Sequence, residues 1–466
     1  MKFFSYLIVP FFLLTNSYSK GSSFINYFGD STETNYGHSV VQFPSGSIFF
    51  SGYSENNSGN FGQIILAKFN QQGIELFTRY FGDSLHHYVT NRMVKDQNKN
   101  LIIAGSRINS SGLYQPYALK TDSNGIVIWQ KEFPAGLNSQ FNGVCVFPNN
   151  DIGFSGFETD TVNSGLNILC VRTNENGDIK FQISVGDPII TETSDNCISQ
   201  DNNVMLACGD KLAHPGIFNP YVIAVDSNGI LIWDLTVSNL HNCGSKNLFI
   251  DSNNDLLVVG ESSTDSTAQF DILLSKIDLQ NQSVKWSRII AGSNESDAGF
   301  AVTENSSGNY LIAGYGFDTT TLKKRIVLIE CDSASIEISK KYYGYSPINI
   351  GYEIQNSING GILIAGTDFT NGKNILIYDD SFSNNIQNIL KKPTKIFPNP
   401  VKNGGILFSQ QNFSEIQIFD LTGKTIIHLK KESNNHFELP SLSKGTFIIN
   451  LKNNNVNITT ELIIIE

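Results

Sequence analysis

A glycine that closes an apolar run returns along this chain at nearly constant spacing. It ends IFFSG (48–52), LIIAG (101–105), IGFSG (152–156), MLACG (205–209), LLVVG (256–260) and two copies of LIAG (311–314 and 363–366). The glycines are Gly52, Gly105, Gly156, Gly209, Gly260, Gly314 and Gly366, at intervals of 51 to 54 residues. Such a period constrains the fold more tightly than composition does. Each unit is one supersecondary element that must stack on copies of itself to bury its faces.

Three further markers keep step with the glycine. A turn motif follows it: KFNQQG from 68, KTDSNG from 120, RTNENG from 172, AVDSNG from 224, KIDLQN from 276 and ECDSAS from 330. Then comes an aromatic residue, at Phe77, Trp129, Phe181, Trp233 and Trp286. An opening element reads YFGD at 27–30 and 80–83, SVGD at 184–187, IIAGS at 289–293 and YYGY at 342–345.

Each unit divides into four short strands. In the first they are HSVVQF (38–43), SIFFSGY (47–53), QIILAKF (63–69) and IELFTRY (74–80). The runs are β-branched and aromatic, and Asn, Gly and Asp stand where turns need positive φ. No segment has helical periodicity. Four-stranded units with two apolar faces stack radially, so the chain is predicted to be all-β: a seven-bladed β-propeller of four-stranded blades over 20–390. An open β-solenoid is the rival, and 52 residues is long for one of its coils. A glycine inside a strand weakens it, so its return at one register implies close backbone approach or a bulge. The aromatics of the fourth strand would fill the wedges between blades. SFINY (23–27) has no blade of its own and is predicted to complete the seventh, closing the ring.

Residues 27 to about 390 resemble the degenerate repeats of secreted propeller proteins of the Bacteroidetes, most clearly in ESDAGFAVTENSSGNYLIAGYG (295–316) and NGGILIAGT (359–367). The resemblance implies fold and secretion, and no chemistry.

Past a linker at 391–395 the pattern changes to KIFPNPVKNGGILF (395–408), SEIQIFDLTGKTIIHL (414–429), FELPSLSKGTFIINLK (437–452) and VNITTELIIIE (456–466). Alternating strands with turns at Thr422-Gly423 and Lys444-Gly445 predict a small Ig-like β-sandwich over 396–466. Pro398 and Pro400 cannot donate ladder hydrogen bonds and mark an edge position. This segment is similar to the type A C-terminal sorting domain of type IX secretion. The family's opening motif falls on Phe397, Pro398, Asn399 and Pro400, and its central turn on Asp420, Gly423 and Lys424. Its third element falls on Leu439, Leu442, Gly445 and Phe447, with Phe where Tyr is usual; the closing ELIIIE lacks the usual Lys-rich strand. The resemblance implies an outer-membrane translocon as partner, and release or attachment at the cell surface.

The N-terminus agrees with export. Met1-Lys2, the apolar FFSYLIVPFFLL (3–14) and the small Ser17 and Ser19 read as a signal peptide over 1–19. Twelve apolar residues fall short of the ~20 that span a bilayer, and the mature chain is expected to have no membrane span. Net charge is −11, and the last 71 residues carry as many Lys and Arg as Asp and Glu, so the acidity lies in the repeats. Nucleic acid is not expected as a partner, since it needs clustered cations. Six cysteines, none in a CxxC, sit mostly inside apolar runs and are expected as buried thiols; Cys197 and Cys208, on facing strands of one hairpin, are the pair to test for a disulfide.

Chemical motifs are sparse. There is no HExxH, GxSxG or phosphate loop with Lys, and no metal site, cofactor or catalytic residue is assigned. DSNG (122–125 and 226–229) and DSNNDL (251–256) read as turns whose Asx side chain bonds its own backbone. A calcium loop would need Gly and Glu where Leu256 and Ser262 stand. Nineteen residues before each repeat glycine stand Glu33, His86, Leu137, Ile190, His241, Glu295 and Pro347, in loops that enter the innermost strands; Asp30, Asp83 and Asp187 lie just ahead. Glu33, Asp83, His86, His241 and Glu295 are therefore the candidate ligand-binding residues at a channel mouth. The expected function is a non-enzymatic extracellular propeller that binds a protein or carbohydrate. The alternative is a propeller enzyme acting on glycans with acidic residues at that mouth.

Overall fold

A computed structural model describes residues 23–29, 32–56, 61–159, 165–186, 190–214, 216–237, 242–263, 269–290, 295–382, 396–397, 402–403, 405–420, 425–439, 441–453 and 456–465. Residues 1–19, read above as a signal peptide, residues 391–395, read as a linker, and Asp30, Asp187 and His241 lie outside them. Contacts separate two units, the first ending at Ser383 and the second beginning at Asn384.

The described residues of the first unit form seven four-stranded antiparallel sheets. Their innermost strands are Glu33–Gln42, His87–Lys95, Gln140–Val146, Glu192–Ser199, Cys243–Ile250, Ala298–Glu304 and Asn349–Asn356, which define blades 1 to 7. Alternate residues of each strand face opposite neighbours. Apolar clusters accordingly form between successive blades: Phe49 and Leu66 meet Tyr117 and Leu119 between blades 1 and 2, and Val259 and Leu274 meet Ile312 and Ile329 between blades 5 and 6. A cluster of Phe50 and Phe69 with Leu363 and Tyr378 joins blade 7 to blade 1, so the ring is closed and the solenoid is ruled out. Each fully buried Ile, Leu or Phe contributes about 1.5–3 kcal/mol.

Closure uses the N-terminal strand, as expected. Phe24–Phe28 pairs antiparallel with Lys373–Asp379, with Phe24 opposite Tyr378 and Phe28 opposite Asn374, and becomes the outer strand of blade 7. Phe28 then packs edge-on against Phe50 and Phe69 of blade 1, with ring centroids 4.8 and 5.0 Å away.

Two of the sequence markers meet across the blade interfaces. The turn glycines Gly73, Gly125, Gly177 and Gly229 have φ of +77°, +72°, +77° and +84°. Each lies against an outer-strand aromatic of the preceding blade: Phe24, Phe77, Trp129 and Phe181 respectively. A Cβ would come within 2.7 to 3.3 Å of these rings. The basic residue that opens the turn motif also reaches across: Lys68 donates to the Ser123 carbonyl at 3.0 Å, Lys120 to Glu175 at 3.0 Å and Arg172 to Asn202 at 2.8 Å. The Asp-led turns are Asx turns, as expected. Asp122 Oδ1 accepts from the N–H groups of Asn124 and Ile126 at 2.8 Å, and Asp226 does the same for Asn228 and Ile230.

All six cysteines are buried free thiols. Cys197 is opposite Ala207, and Cys208 is opposite Asn196. A one-residue offset in an antiparallel pair sends side chains to opposite faces. Cys197 therefore packs towards blade 3 and Cys208 towards blade 5, and the disulfide considered between them does not form.

In the second unit, strands Ile396–Phe397, Ile406–Phe419, Thr425–Glu438, Gly445–Asn453 and Val456–Ile465 form a small β domain. Ile406–Phe419 is its hub, pairing with Thr425–Glu438 and, through Glu415–Phe419, with Gly445–Asn453. Ile416, Ile418, Phe437, Leu439, Phe447, Ile449, Leu451 and Ile465 make its core.

Candidate functional site

The repeat glycine has one structural partner in every blade. Gly52 stands opposite Gly37, Gly105 opposite Thr90, Gly156 opposite Phe141, Gly209 opposite Ser194, Gly260 opposite Ser245, Gly314 opposite Gly299 and Gly366 opposite Gly351. Immediately after that partner the innermost strand bulges in all seven blades, and one extra residue has no opposite number. A Cβ on the repeat glycine would lie 1.7 to 2.3 Å from the carbonyl oxygen just ahead of its partner. The glycine is therefore what makes room for the bulge.

The extra residues are His38, Asn91, Asn142, Asp195, Lys246, Phe300 and Tyr352, each fourteen positions before its glycine. Freed from the ladder, they converge. With Arg92 they line one cavity of about 160 Å³ on the central axis. A second cavity of about 520 Å³ continues along the channel, walled by Val40, Met93, Val144, Leu248 and Ile354, with Gln42, Lys95 and Gln355. Arg92 belongs to both walls, and its ion pair with Glu353 marks the partition.

The ring of seven has two unlike arcs. In blades 6, 7 and 1, Phe300 meets Tyr352 edge-on at 5.1 Å, and Tyr352 stacks on His38 at 4.8 Å. Burial and then the Arg92 charge hold His38 down at about 4, so the imidazole is neutral at physiological pH. In blades 2 to 5 the arc is polar. Asn91 Nδ2 donates to the Phe141 carbonyl at 2.8 Å and to Asn142 Oδ1 at 3.1 Å, and Asn142 Nδ2 donates to the Ser194 carbonyl at 2.8 Å. The Asp195 charge, against the opposing effect of burial, raises the Lys246 ammonium above its ordinary range, so it stays charged. Asp195 Oδ2 is buried with no hydrogen-bond partner among the described residues. Behind this pair Asp210 accepts the Ser245 N–H at 2.8 Å. Burial, then repulsion from Asp195, push Asp210 up to about 7. Among the described residues no group of three or more His, Cys, Asp or Glu is placed to hold a metal.

Of the residues singled out from sequence, Glu33, His86, His241 and Glu295 lie five positions ahead of this ring and Asp83 eight. Glu33 opens the inner strand of blade 1, opposite Asn56. Asp83 and His86 come together in the loop before blade 2, with His86 Nδ1 2.8 Å from Asp83 Oδ1. Asp83 also accepts the Leu85 N–H at 2.8 Å and the Tyr88 hydroxyl at 3.0 Å, so it organises its own loop. Glu295 is exposed in the loop before blade 6. None of Glu33, Asp83, His86 and Glu295 is in the wall of either channel cavity.

In the C-terminal unit, Leu439 and Phe447 of the third motif element are buried in the core with Leu442 packed against it, and Gly445 opens a strand opposite Ile465. Asp420 follows the hub strand, half-buried, and Phe397 pairs with Phe408. Pro398, Asn399, Pro400, Gly423 and Lys424 lie outside the described residues. Residues 395–466 match the family described as a secretion system C-terminal sorting domain. That segment is a type IX secretion sorting domain. It marks the chain for the cell surface or the surrounding medium. No described helix is long and apolar enough to cross a membrane.

No curated protein matches the sequence. Among solved structures, the chain is similar to a virginiamycin B lyase of Staphylococcus aureus, with TM-score 0.52 and 10 % identity over 77 % of this chain and 100 % of that one. It is also similar to puromycin hydrolase, with TM-score 0.47 and 10 % identity over 90 % and 59 %. PorZ, a surface component of the type IX secretion system of Porphyromonas gingivalis, gives TM-score 0.37 and 9 % identity over 91 % and 68 %. At 10 % identity the likeness to the lyase speaks for the fold alone.

Proposed function

We propose that this chain, exported behind a cleaved signal peptide, is a non-enzymatic propeller that binds the end of an extracellular carbohydrate in its central channel. One observation carries the reading. The bulge ring sets an aromatic arc of Phe300, Tyr352 and His38 opposite a hydrogen-bonding arc of Asn91, Asn142, Asp195 and Lys246. A sugar ring has an apolar C–H face that packs on aromatic rings and hydroxyls that need donors and acceptors. The cavity of about 160 Å³ suits one terminal unit. The Asp83–His86 loop would contact the rest of the chain at the mouth.

A glycan array probed with the mature protein tests this, followed by calorimetry on Y352A and N142A. Binding is expected without change in the glycan, weakened ~10-fold or more by either substitution. Undiminished binding in both variants would move the site elsewhere. Cleavage of the bound glycan would favour the enzyme alternative, with Asp195 and Asp210 as its carboxyl groups. Failure of every glycan to bind, with capture of an extracellular protein instead, would favour a protein ligand.

A further inference from the structure

The interface between blades 3 and 4 gathers sulfur. Cys145, Cys170, Cys197 and Met205 share one buried cluster. At Gly143 the inner strands of the two blades approach so closely that a Cβ there would lie 2.6 Å from the Cys197 nitrogen and 2.7 Å from Asn196 Cα. Just beyond, Cys145 and Cys197 lie in that same buried cluster, one from each blade. Both lie against Gly153: its Cβ, if present, would be 2.8 Å from Cys145 Sγ, and its carbonyl oxygen is 3.8 Å from Cys197 Sγ. The missing side chain at 153 leaves the space that both sulfurs share. Cys145 and Cys197 are 5 % and 1 % exposed, and both line the larger channel cavity.

We infer that Cys145 and Cys197 form a disulfide that staples blade 3 to blade 4 in the exported protein. Export delivers the chain to an oxidising compartment, where paired thiols become disulfides. The step is thiol–disulfide exchange with an oxidised dithiol partner protein. One cysteine attacks the partner's disulfide as a thiolate, and a mixed disulfide forms as one partner thiolate leaves. The second cysteine then attacks that bond and expels the other partner thiol. Two protons and two electrons pass to the partner, which ends as a dithiol. Exchange precedes folding, because burial and the neighbouring thiol raise the folded Cys145 well above the ordinary thiol range and remove its thiolate. The link joins positions contributed by different blades, so it constrains an interface rather than a hairpin. Cys170, Cys208, Cys243 and Cys331 remain thiols.

The test is peptide mapping of the full-length protein purified from the exporting cell. It is denatured and alkylated without reductant, then digested. The expected result is one cross-linked peptide pair containing Cys145 and Cys197, about two mass units below the sum of its reduced parts, with the other four cysteines alkylated. C145A should leave Cys197 alkylated in the same protocol. Reduction should lower the melting temperature of the native protein by roughly 5 °C and leave C145A unmoved. Alkylation of all six cysteines before reduction, or a link from Cys197 to Cys170, would overturn the assignment.

Discussion

Gly209 faces Ser194 across the first hairpin of blade 4, and a Cβ at Gly209 would lie 1.7 Å from the Thr193 carbonyl oxygen. No rotamer relieves such a clash, because the oxygen is backbone and the backbone alone fixes where the Cβ stands. G209A should lose on the order of 3 kcal/mol of stability or flatten the bulge that presents Asp195. Gly112 is the control: its φ is +76°, but nothing lies within 4 Å of its Cβ position. G112A should lose only about 1 kcal/mol. Urea titration of the two variants measures the difference.

Lys276 should be the costliest cation to remove. It donates to Asp251 at 2.8 Å and to Tyr310 of the next blade at 2.9 Å, with Asp255 at 3.1 Å. K276M leaves a buried carboxylate without its counter-charge and should lose about 3–5 kcal/mol. Y310F removes two hydrogen bonds, the one accepted from Lys276 and the one donated to Asp251 at 2.9 Å, and should lose about 2 kcal/mol. Chemical denaturation reads both.

Acid should destabilise the ring through Asp318. Partial burial raises its carboxyl, but the Thr321 hydroxyl, Arg325 and the Thr320 N–H outweigh that and hold it at about 2. A folded value below the unfolded one gives stability that is complete above about pH 4 and is lost as pH falls towards 2. D318N should be less stable than the wild type at pH 7, and the gap should close by pH 2. Unfolding midpoints across that window decide it.

Asp210 should act with the opposite sign. Its folded value of about 7 lies above the unfolded one, so it withdraws stability as pH rises from about 4 towards 7. D210N should raise the unfolding midpoint at pH 8 more than at pH 4. H38Q should leave the profile above about pH 7 unchanged but flatten it below about 6.5, because the unfolded chain takes a proton there that the buried His38, held at about 4, does not.

Closure depends on a few residues at the N-terminal edge. Phe28 is half-buried between blade 7 and blade 1, against Phe50 and Phe69. F28A should lose about 3 kcal/mol. Deleting Phe24–Phe28 should lower the melting temperature further than F28A does, because the edge of Lys373–Asp379 then stands unpaired and Phe50 and Phe69 of blade 1 lose their cover.

The fold was legible because its determinants recur. Gly73 and Phe24, or Gly125 and Phe77, mark both sides of one contact, so the sequence repeats them at every interface. SFINY was legible as an orphan strand because it precedes the first FGD as LFTRY precedes the second. The channel ring was not legible for the complementary reason. His38, Asn91, Asn142, Asp195, Lys246, Phe300 and Tyr352 share no chemistry, so they leave no periodic signal. The bulge that selects them is one extra residue hidden inside an otherwise regular strand. Counting nineteen back from the glycine reached the loops; counting fourteen back reaches the wall. The glycine itself was the available clue, since a bulge was one of the two reasons a strand would keep it.

Because a residue on the bulge has no cross-strand partner, exchanging it disturbs no ladder, and at most one or two side-chain hydrogen bonds to the next blade, as at Asn91 and Asn142. The scaffold thus separates what must recur from what is free to change. Seven sites, each on its own sheet, can be altered one at a time while the ring stands. A lineage could retarget such a molecule by single substitutions without risking its fold.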